Sequence, residues 1–163
     1  MTFRERVCTV AFGVTITGTR SLGDTAKACL PELFHRYVRP FTGPGSHVYI
    51  GGAIGIDTNA LNWLAIHTPA SLTVVVPRTV ADQPRDAAAA IHQWSKRGRL
   101  GDVVELRADE LDTAAYHARN RWMVDHSQFV AGFPRAGIAP VSGTWYTLNY
   151  AAAQDKPRLV VPV

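Results

Sequence analysis

Apolar residues along this chain fall into two alternating kinds of segment. Short, nearly continuous runs rich in Val and Ile are typical of strands that helices cover on both faces. Longer segments between them carry apolar residues at helical spacing, such as Leu61, Leu64 and Ala65. The pattern predicts strands over 14–17, 47–50, 72–76, 103–106, 129–133 and 158–161, and helices over 24–38, 57–67, 85–97, 112–127 and 143–154.

Several of the predicted helices begin with residues that can cap a helix. Asp57 precedes the second helix, Asp112 or Thr113 the fourth, and Ser142 or Thr144 the last. Strands that alternate with helices of this length form βαβ units. We therefore predict one α/β domain over residues 1–163, a Rossmann-like doubly wound fold with a mostly parallel sheet. In such a sheet, ligands bind beyond the carboxyl ends of the strands.

Composition narrows the class of protein. The 163 residues are 47% hydrophobic and 18% charged, which suits one folded domain and excludes wholesale disorder. The net charge of +4 permits an anionic partner without identifying one. No apolar run approaches the roughly 18–20 residues of a membrane-spanning helix, and the first residues lack the pattern of a secretory signal. We therefore expect a cytoplasmic protein without a membrane partner.

The residues that commonly bind metals or form disulfides show no motif. Cys8 and Cys29 do not form a CxxC pair, and the six histidines include no HxxxH or HExxH pair. Two thiols in a chain of this kind are expected to be reduced. We therefore expect neither a metal site nor a cofactor.

The first glycine-bearing loop follows the first predicted strand. Gly18, Thr19 and Arg20 open a G-x-x-x-x-G spacing, but Asp24 stands where a P-loop needs Lys. Because a carboxylate beside a triphosphate has the wrong charge, we exclude a nucleoside triphosphatase. What is left is a glycine turn with hydroxyls and an Arg, which fits either phosphate binding or a plain turn.

The second loop opens the second helix. Its small residues would allow backbone amides to approach a ligand, although the G-x-G-x-x-G fingerprint of dinucleotide sites is absent. Asp57 has two interpretations: it caps the helix, or it accepts hydrogen bonds from ribose hydroxyls or orients a water molecule. The loop residues in question are Gly51, Gly52, Ala53 and Gly55.

The third loop and the fourth helix complete the candidate site. Ser142, Gly143 and Thr144 would offer amides and hydroxyls to an oxyanion at a helix start. No G-x-S-x-G is present, so we do not predict a serine hydrolase. Arg119 shares a helix face with Tyr116 and other large side chains, which indicates either an anionic partner or an Arg with a buried stem.

Taken in order, these segments resemble the SLOG superfamily of Rossmann-like proteins, which includes the DNA-processing protein DprA, the LOG phosphoribohydrolases and the YspA/YpsA-type proteins. The resemblance rests on G-T-R after the first strand, GGAIGIDTNAL after the second, RNRWMVDHSQFVAGF and SGTWYTLNYA. It covers nearly the whole chain. Each segment alone is weak, but the ordered set is fairly specific for the superfamily.

The resemblance implies roles for individual residues. Gly51, Gly52, Gly55 and Asp57 would lie at the ligand rim. Gly143 and Thr144 would hold a phosphate, and Arg119, followed by Asn120, would take the catalytic, anion-pairing place. LOG hydrolases carry a Glu three residues after the GT threonine, where this chain has Thr147. This departure leaves enzymatic activity open, with Arg119 and Asp57 as the only catalytic candidates.

These observations lead to one expected function and two alternatives. We expect a protein that binds a nucleotide or nucleotide-derived small molecule at the glycine loops. The first alternative is an enzyme that cleaves an N-glycosidic bond in such a ligand. The second is a DprA-like module for single-stranded DNA. Its stacking groove would be supplied by Trp94 with Lys96, Arg97 and Arg99, and by Trp122 with Arg121. The four tryptophans also indicate an exposed interface, and we expect a homo-oligomer, first of all a dimer.

Overall fold

The computed structural model describes residues 12–163, so Cys8 and the rest of 1–11 lie outside the described residues. Six strands form one sheet, and every neighbouring pair is parallel. The strands are β1 (Phe12–Gly18), β2 (Ser46–Gly51), β3 (Ser71–Val76), β4 (Asp102–Glu105), β5 (Phe129–Phe133) and β6 (Arg158–Val160). The helices are α1 (Asp24–Tyr37), α2 (Ile56–His67), α3 (Arg85–Lys96), α4 (Thr113–Asp125) and α5 (Gly143–Ala153).

The order of strands across the sheet is β4-β3-β2-β1-β5-β6. Strands β2, β3 and β4 follow one another on one side of β1. The chain then crosses to the other side of β1, where β5 and β6 lie. The direction in which strands are added therefore reverses between β1 and β5. The carboxyl ends of these two strands mark the topological switch point of a doubly wound sheet. The predicted α/β Rossmann-like fold is confirmed, with a sheet that is wholly parallel over residues 12–163.

Two apolar clusters cover the two faces of the sheet. The larger joins α1, α2 and α3 to the strands through fully buried side chains such as Leu30, Phe34 and Leu64. The smaller joins α4 and α5 to β5 through Val124, Val130 and Leu148. Because both faces are covered, the strands read as continuous apolar runs.

Two of the predicted helix caps form, and one does not. The Asp112 carboxylate accepts from the backbone N–H of Ala115, and the Ser142 hydroxyl accepts from that of Trp145. Asp57 is not a cap, because α2 begins one residue earlier and has Gly55 at its N-cap position. The Asp57 carboxylate is used in a tertiary contact instead, described below.

The tryptophans do not form the exposed patch that their number suggests. Trp63 and Trp94 belong to the larger apolar cluster, and Trp122 and Trp145 are half-buried. Cys29 is exposed and carries a free thiol. Within residues 12–163, no helix is both long enough and apolar enough to span a bilayer.

Candidate functional site

A cavity of about 390 Å³ opens at the switch point, where the loops after β1 and β2 meet α4 and the start of α5. Pockets that bind small molecules usually measure about 300–1,000 Å³, so this one suits a single small ligand. Ten of the residues predicted for the site lie together on its wall: Gly18, Thr19, Arg20, Ala53, Asp57, Arg119, Asn120, Ser142, Gly143 and Thr144.

Backbone hydrogen bonds hold the loops of the cavity together. The N–H of Thr19 donates to the carbonyl of Phe133 at 2.9 Å and links the ends of β1 and β5. The carbonyl of Thr19 accepts from the N–H of Ile56 at 3.0 Å and links the first loop to α2. Gly55 makes this approach possible, because its φ of 78° favours glycine and a Cβ there would overlap the Thr19 carbonyl.

A buried ion pair forms the floor of the cavity. Asp57 Oδ2 lies 3.8 Å from Arg119 Nη1, and the two side chains are only 7% and 5% exposed. The same Oδ2 accepts from the N–H of Ala53 at 3.3 Å. Arg119 also donates from Nε to Asn120 Oδ1 at 2.8 Å and from Nη1 to the carbonyl of Val75 at 3.3 Å. The anionic partner expected for Arg119 is therefore, in the first place, a carboxylate of its own chain.

Burial controls the electrostatics of this pair. Loss of solvent raises the pKa of Asp57 above its ordinary value, and the attraction of Arg119 and the hydrogen bond from Ala53 only partly oppose that rise. Burial also lowers the pKa of Arg119, with Asp57 acting in the opposite sense. The cavity floor thus holds a carboxylate that is easier to protonate than an exposed one, beside a guanidinium that stays charged.

Gly51 and Gly52 lie behind the floor rather than on the cavity wall. A Cβ at Gly51 would overlap the guanidinium of Arg119 and the carboxylate of Asp57. A Cβ at Gly52 would lie 2.6 Å from the Val76 side chain. Both glycines are absent from the lining, and Gly55 faces a second, smaller cavity. The small size of these glycines serves packing, and their assignment to ligand contact stays a prediction.

The start of α5 presents unhindered backbone to the cavity. A Cβ at Gly143 would meet no atom within 4 Å, so this end of the helix is open. The N-terminal amides of a helix favour an anion through their free donors and the helix dipole. Thr147 is different, because it is fully buried and its hydroxyl donates to the carbonyl of Gly143 at 2.9 Å. It does not line the cavity, so this geometry gives no support to its assignment to ligand binding, which stays a prediction.

The outer part of the cavity carries aromatic and basic side chains. The guanidinium of Arg20 lies 4.5 Å from the ring centre of Tyr116. The His117 ring stacks on Tyr146 at 3.6 Å, and the Tyr146 hydroxyl accepts from Arg121 at 2.7 Å. Helical spacing already places Tyr116 on the same face as Arg119, but the sequence did not assign it to the site. The lining residues that were not predicted for the site are Thr17, Ser21, Thr113, Tyr116 and His117.

One of the stacking surfaces expected for single-stranded DNA is not available. Trp94 is 6% exposed, and its indole N–H donates to Asn62 at 2.7 Å. Arg99 donates to carbonyls at the end of α2, among them those of Ala65 and Thr68. The prediction that Trp94 forms a stacking platform is therefore wrong, because its indole is part of the core and Arg99 binds the carbonyls at the end of α2.

No protein-family model matches this chain, and no curated protein matches it. Solved structures resemble it, and two of them are DNA-processing proteins. DNA processing protein A from Helicobacter pylori, described for its single-stranded DNA binding mode, is 22% identical with a TM-score of 0.68 over 94% of this chain and 66% of that one. DprA from Streptococcus pneumoniae is 16% identical with a TM-score of 0.69 over 93% of this chain and 50% of that one.

The chain thus spans just under two thirds of the first of these proteins and half of the second. At such identities the likeness shows the fold alone. It agrees with the SLOG resemblance at that level, and this chain has the DprA-like Rossmann fold.

Proposed function

We propose that this protein binds a nucleotide or nucleotide-derived ligand in the switch-point cavity. The observation that carries the proposal is the start of α5, where Gly143 lines the cavity and a Cβ at that position would meet no atom within 4 Å. Free amides at a helix start bind phosphate well, and the ligand crevice of a doubly wound sheet lies at this place. Ser142 and Thr144 extend the same anion-binding surface.

Charge across the cavity supports a phosphate at α5 rather than at the floor. Arg20 is exposed and lines the cavity, so its guanidinium can reach a bound anion. The floor holds Asp57 and Arg119 together, and their charges offset each other. A phosphate is therefore attracted to Arg20 and the start of α5. Because the Asp57–Arg119 pair has no net charge, the floor suits uncharged parts of the ligand.

The test is a pair of matched glycine variants. Gly143→Asp places a carboxylate where the phosphate would lie, and we expect nucleoside monophosphate binding to be lost in a folded protein. Gly43→Asp is the control, because position 43 is equally unobstructed and precedes β2 at the opposite edge of the sheet. The measurement is thermal or chemical stability with nucleotide, where ligand at 100 times its Kd adds about 2.7 kcal/mol. Unchanged affinity in Gly143→Asp would contradict the proposal.

Single-stranded DNA is the second candidate ligand. It is favoured by the likeness in fold to the H. pylori protein, which is described as binding single-stranded DNA. Trp122 is half-buried beside Arg121, and its indole already stacks on the His126 ring at 3.7 Å, so a base would extend or replace that stack. Fluorescence anisotropy distinguishes DNA binding from nucleotide binding. A labelled oligodeoxythymidine is bound first, and nucleoside monophosphates are then added as competitors. Tight oligonucleotide binding that monophosphates do not displace would favour the DNA function.

A homo-oligomer, with a dimer expected first, is also proposed. Its support is that several large apolar side chains on different elements are exposed, among them Ile54, Ile66 and Val141; the tryptophans do not supply it. Light scattering at high micromolar concentration measures the mass. A monomer under those conditions would contradict the proposal.

A further inference from the structure

The two charged residues on the cavity floor each retain one unused polar atom. The hydrogen bonds described above account for Oδ2 of Asp57 and for Nε and Nη1 of Arg119. Among residues 12–163, neither Asp57 Oδ1 nor Arg119 Nη2 has a hydrogen-bond partner. No side-chain N or O atom in that part of the chain is both fully buried and unpaired, so each of these two atoms keeps a small exposed surface. Since both residues line the cavity, these atoms are what its floor can offer a ligand.

These two atoms have complementary chemistry. An ionised carboxylate oxygen only accepts hydrogen bonds, and a guanidinium nitrogen only donates them. A hydroxyl both donates and accepts, so a hydroxyl-bearing group can satisfy both atoms at once. A sugar with hydroxyls on two adjacent carbons can donate a hydrogen bond to Asp57 Oδ1 and accept one from Arg119 Nη2. The floor is less suited to a phosphate, because Asp57 would repel it.

We propose that Asp57 and Arg119 bind the ribose hydroxyls of a ribonucleotide, so that this cavity selects ribonucleotides over 2′-deoxyribonucleotides. The inference rests on the proposed function and specifies its ligand class. Asp57 Oδ1 accepts from a ribose hydroxyl, and Arg119 Nη2 donates to one. The phosphate lies at the start of α5 with Arg20.

The change in burial along α4 supports this arrangement. Thr113 at the start of the helix is exposed, Tyr116 and His117 are half-buried, and Arg119 and Asn120 are buried. All five line the cavity, which therefore has an aromatic outer part and a polar floor. A planar base suits the outer part, because aromatic rings stack with bases. The sugar is then the part of the nucleotide that reaches the floor.

The first experiment uses the unmodified protein. Binding of the four ribonucleoside 5′-monophosphates is compared by calorimetry with that of their 2′-deoxy and 2′-fluoro counterparts. The 2′-fluoro sugar has no O–H to donate to Asp57. We expect both analogues of whichever nucleotide binds to have at least about tenfold weaker affinity, because a hydrogen bond to a charged group is lost. Equal affinities would overturn the inference and leave the proposed function intact. Absence of binding by every nucleotide would overturn both.

Two carboxylate variants then test Asp57 itself. Asp57→Asn replaces the charged acceptor of the ribose hydroxyl's hydrogen bond with a neutral, weaker one. We expect the ratio of ribonucleotide to deoxyribonucleotide affinity to fall toward one. Asp86→Asn is the control, because Asp86 lines only the second cavity, and the ratio should stay as in the unmodified protein. An unchanged ratio in folded Asp57→Asn would overturn the assignment. If that variant does not fold, the 2′-fluoro comparison decides. A DNA oligonucleotide that binds more tightly than its RNA counterpart would also overturn the selectivity.

Discussion

The guanidinium of Arg119 occupies the space that a side chain at position 51 would fill. A Cβ at Gly51 would overlap Nη1 of Arg119 and the carboxylate of Asp57. The end of β2 therefore has to be glycine for the two charged groups to meet at the floor of the cavity. The small residue allows a buried ion pair rather than the approach of a ligand.

Gly51→Ala is expected to lower the free energy of unfolding by about 3–5 kcal/mol, the range measured when a buried ion pair is broken. The added methyl group displaces Arg119 and leaves Asp57 without its partner. Chemical denaturation measures the change. Gly43→Ala is the control, because a Cβ there meets no atom within 4 Å, and its effect should be small. Equal stability of the two variants would show that Arg119 can move without cost.

His47 predicts a pH dependence of stability. Its ring lies 2.7 Å from the Thr73 hydroxyl, and burial lowers its pKa below the ordinary 6.5, although Asp102 acts in the opposite direction. Between the lowered pKa and 6.5, the unfolded chain binds more protons than the folded one. Stability therefore falls as the pH decreases from 6.5 through the folded pKa.

Removal of the imidazole should remove this part of the pH dependence. Denaturation of His47→Gln and of the unmodified protein is compared at pH 7.5, 6.5 and 5.5. The difference in stability between them should shift in favour of the variant as the pH falls. His92→Gln, at an exposed position of α3, is the control. A difference that does not change with pH would contradict the prediction.

Arg20→Gln should weaken nucleotide binding by about tenfold, because a charge-assisted hydrogen bond to the phosphate is lost. Its stability should stay within about 0.5 kcal/mol, as expected for an exposed side chain. Calorimetry and denaturation measure the two effects. Arg36→Gln serves as the control, because Arg36 pairs with Glu32 on the exposed side of α1. Equal losses of affinity in both variants would indicate a general charge effect.

Hydrolysis of nucleoside monophosphates to base and ribose phosphate is expected to be absent or very slow. Asp57 is the only carboxylate that lines the switch-point cavity within residues 12–163, and it is held by Arg119. Loss of one well-placed acid or base typically costs about 10²–10⁴-fold in rate. Chromatography of base released from several monophosphates is the measurement. Robust turnover that Asp57→Asn removes without loss of affinity would make Asp57 catalytic.

Thr147→Glu is not expected to restore hydrolysis. Thr147 is fully buried and faces its own helix, so a Glu there would add a buried charge and lower stability by several kcal/mol. Denaturation of the variant measures this loss, and base release measures activity. Stable protein with new turnover would show that α5 can turn this position toward the cavity.

The alternation of elements was readable from the chain, because strand and helix periodicity depends on neighbouring residues. All six predicted strands and all five helices are present, and β5 has its predicted limits of 129–133. The caps at Asp112 and Ser142 are local in the same sense, since each accepts a hydrogen bond from a residue three positions ahead. Parallel topology and a site at the carboxyl edge of the sheet followed from this alternation.

Only the tertiary structure decided how the candidate residues are used. Asp57 next to the helix start suggested a cap, but its partner Arg119 comes from α4 and reaches it because the chain returns across the sheet. The same distant contact explains Gly51, whose small size suggested a ligand. The sequence by itself determined which residues gather at this edge. Which of them face the cavity depends on contacts between residues far apart in the chain, and local periodicity carries no information about those contacts.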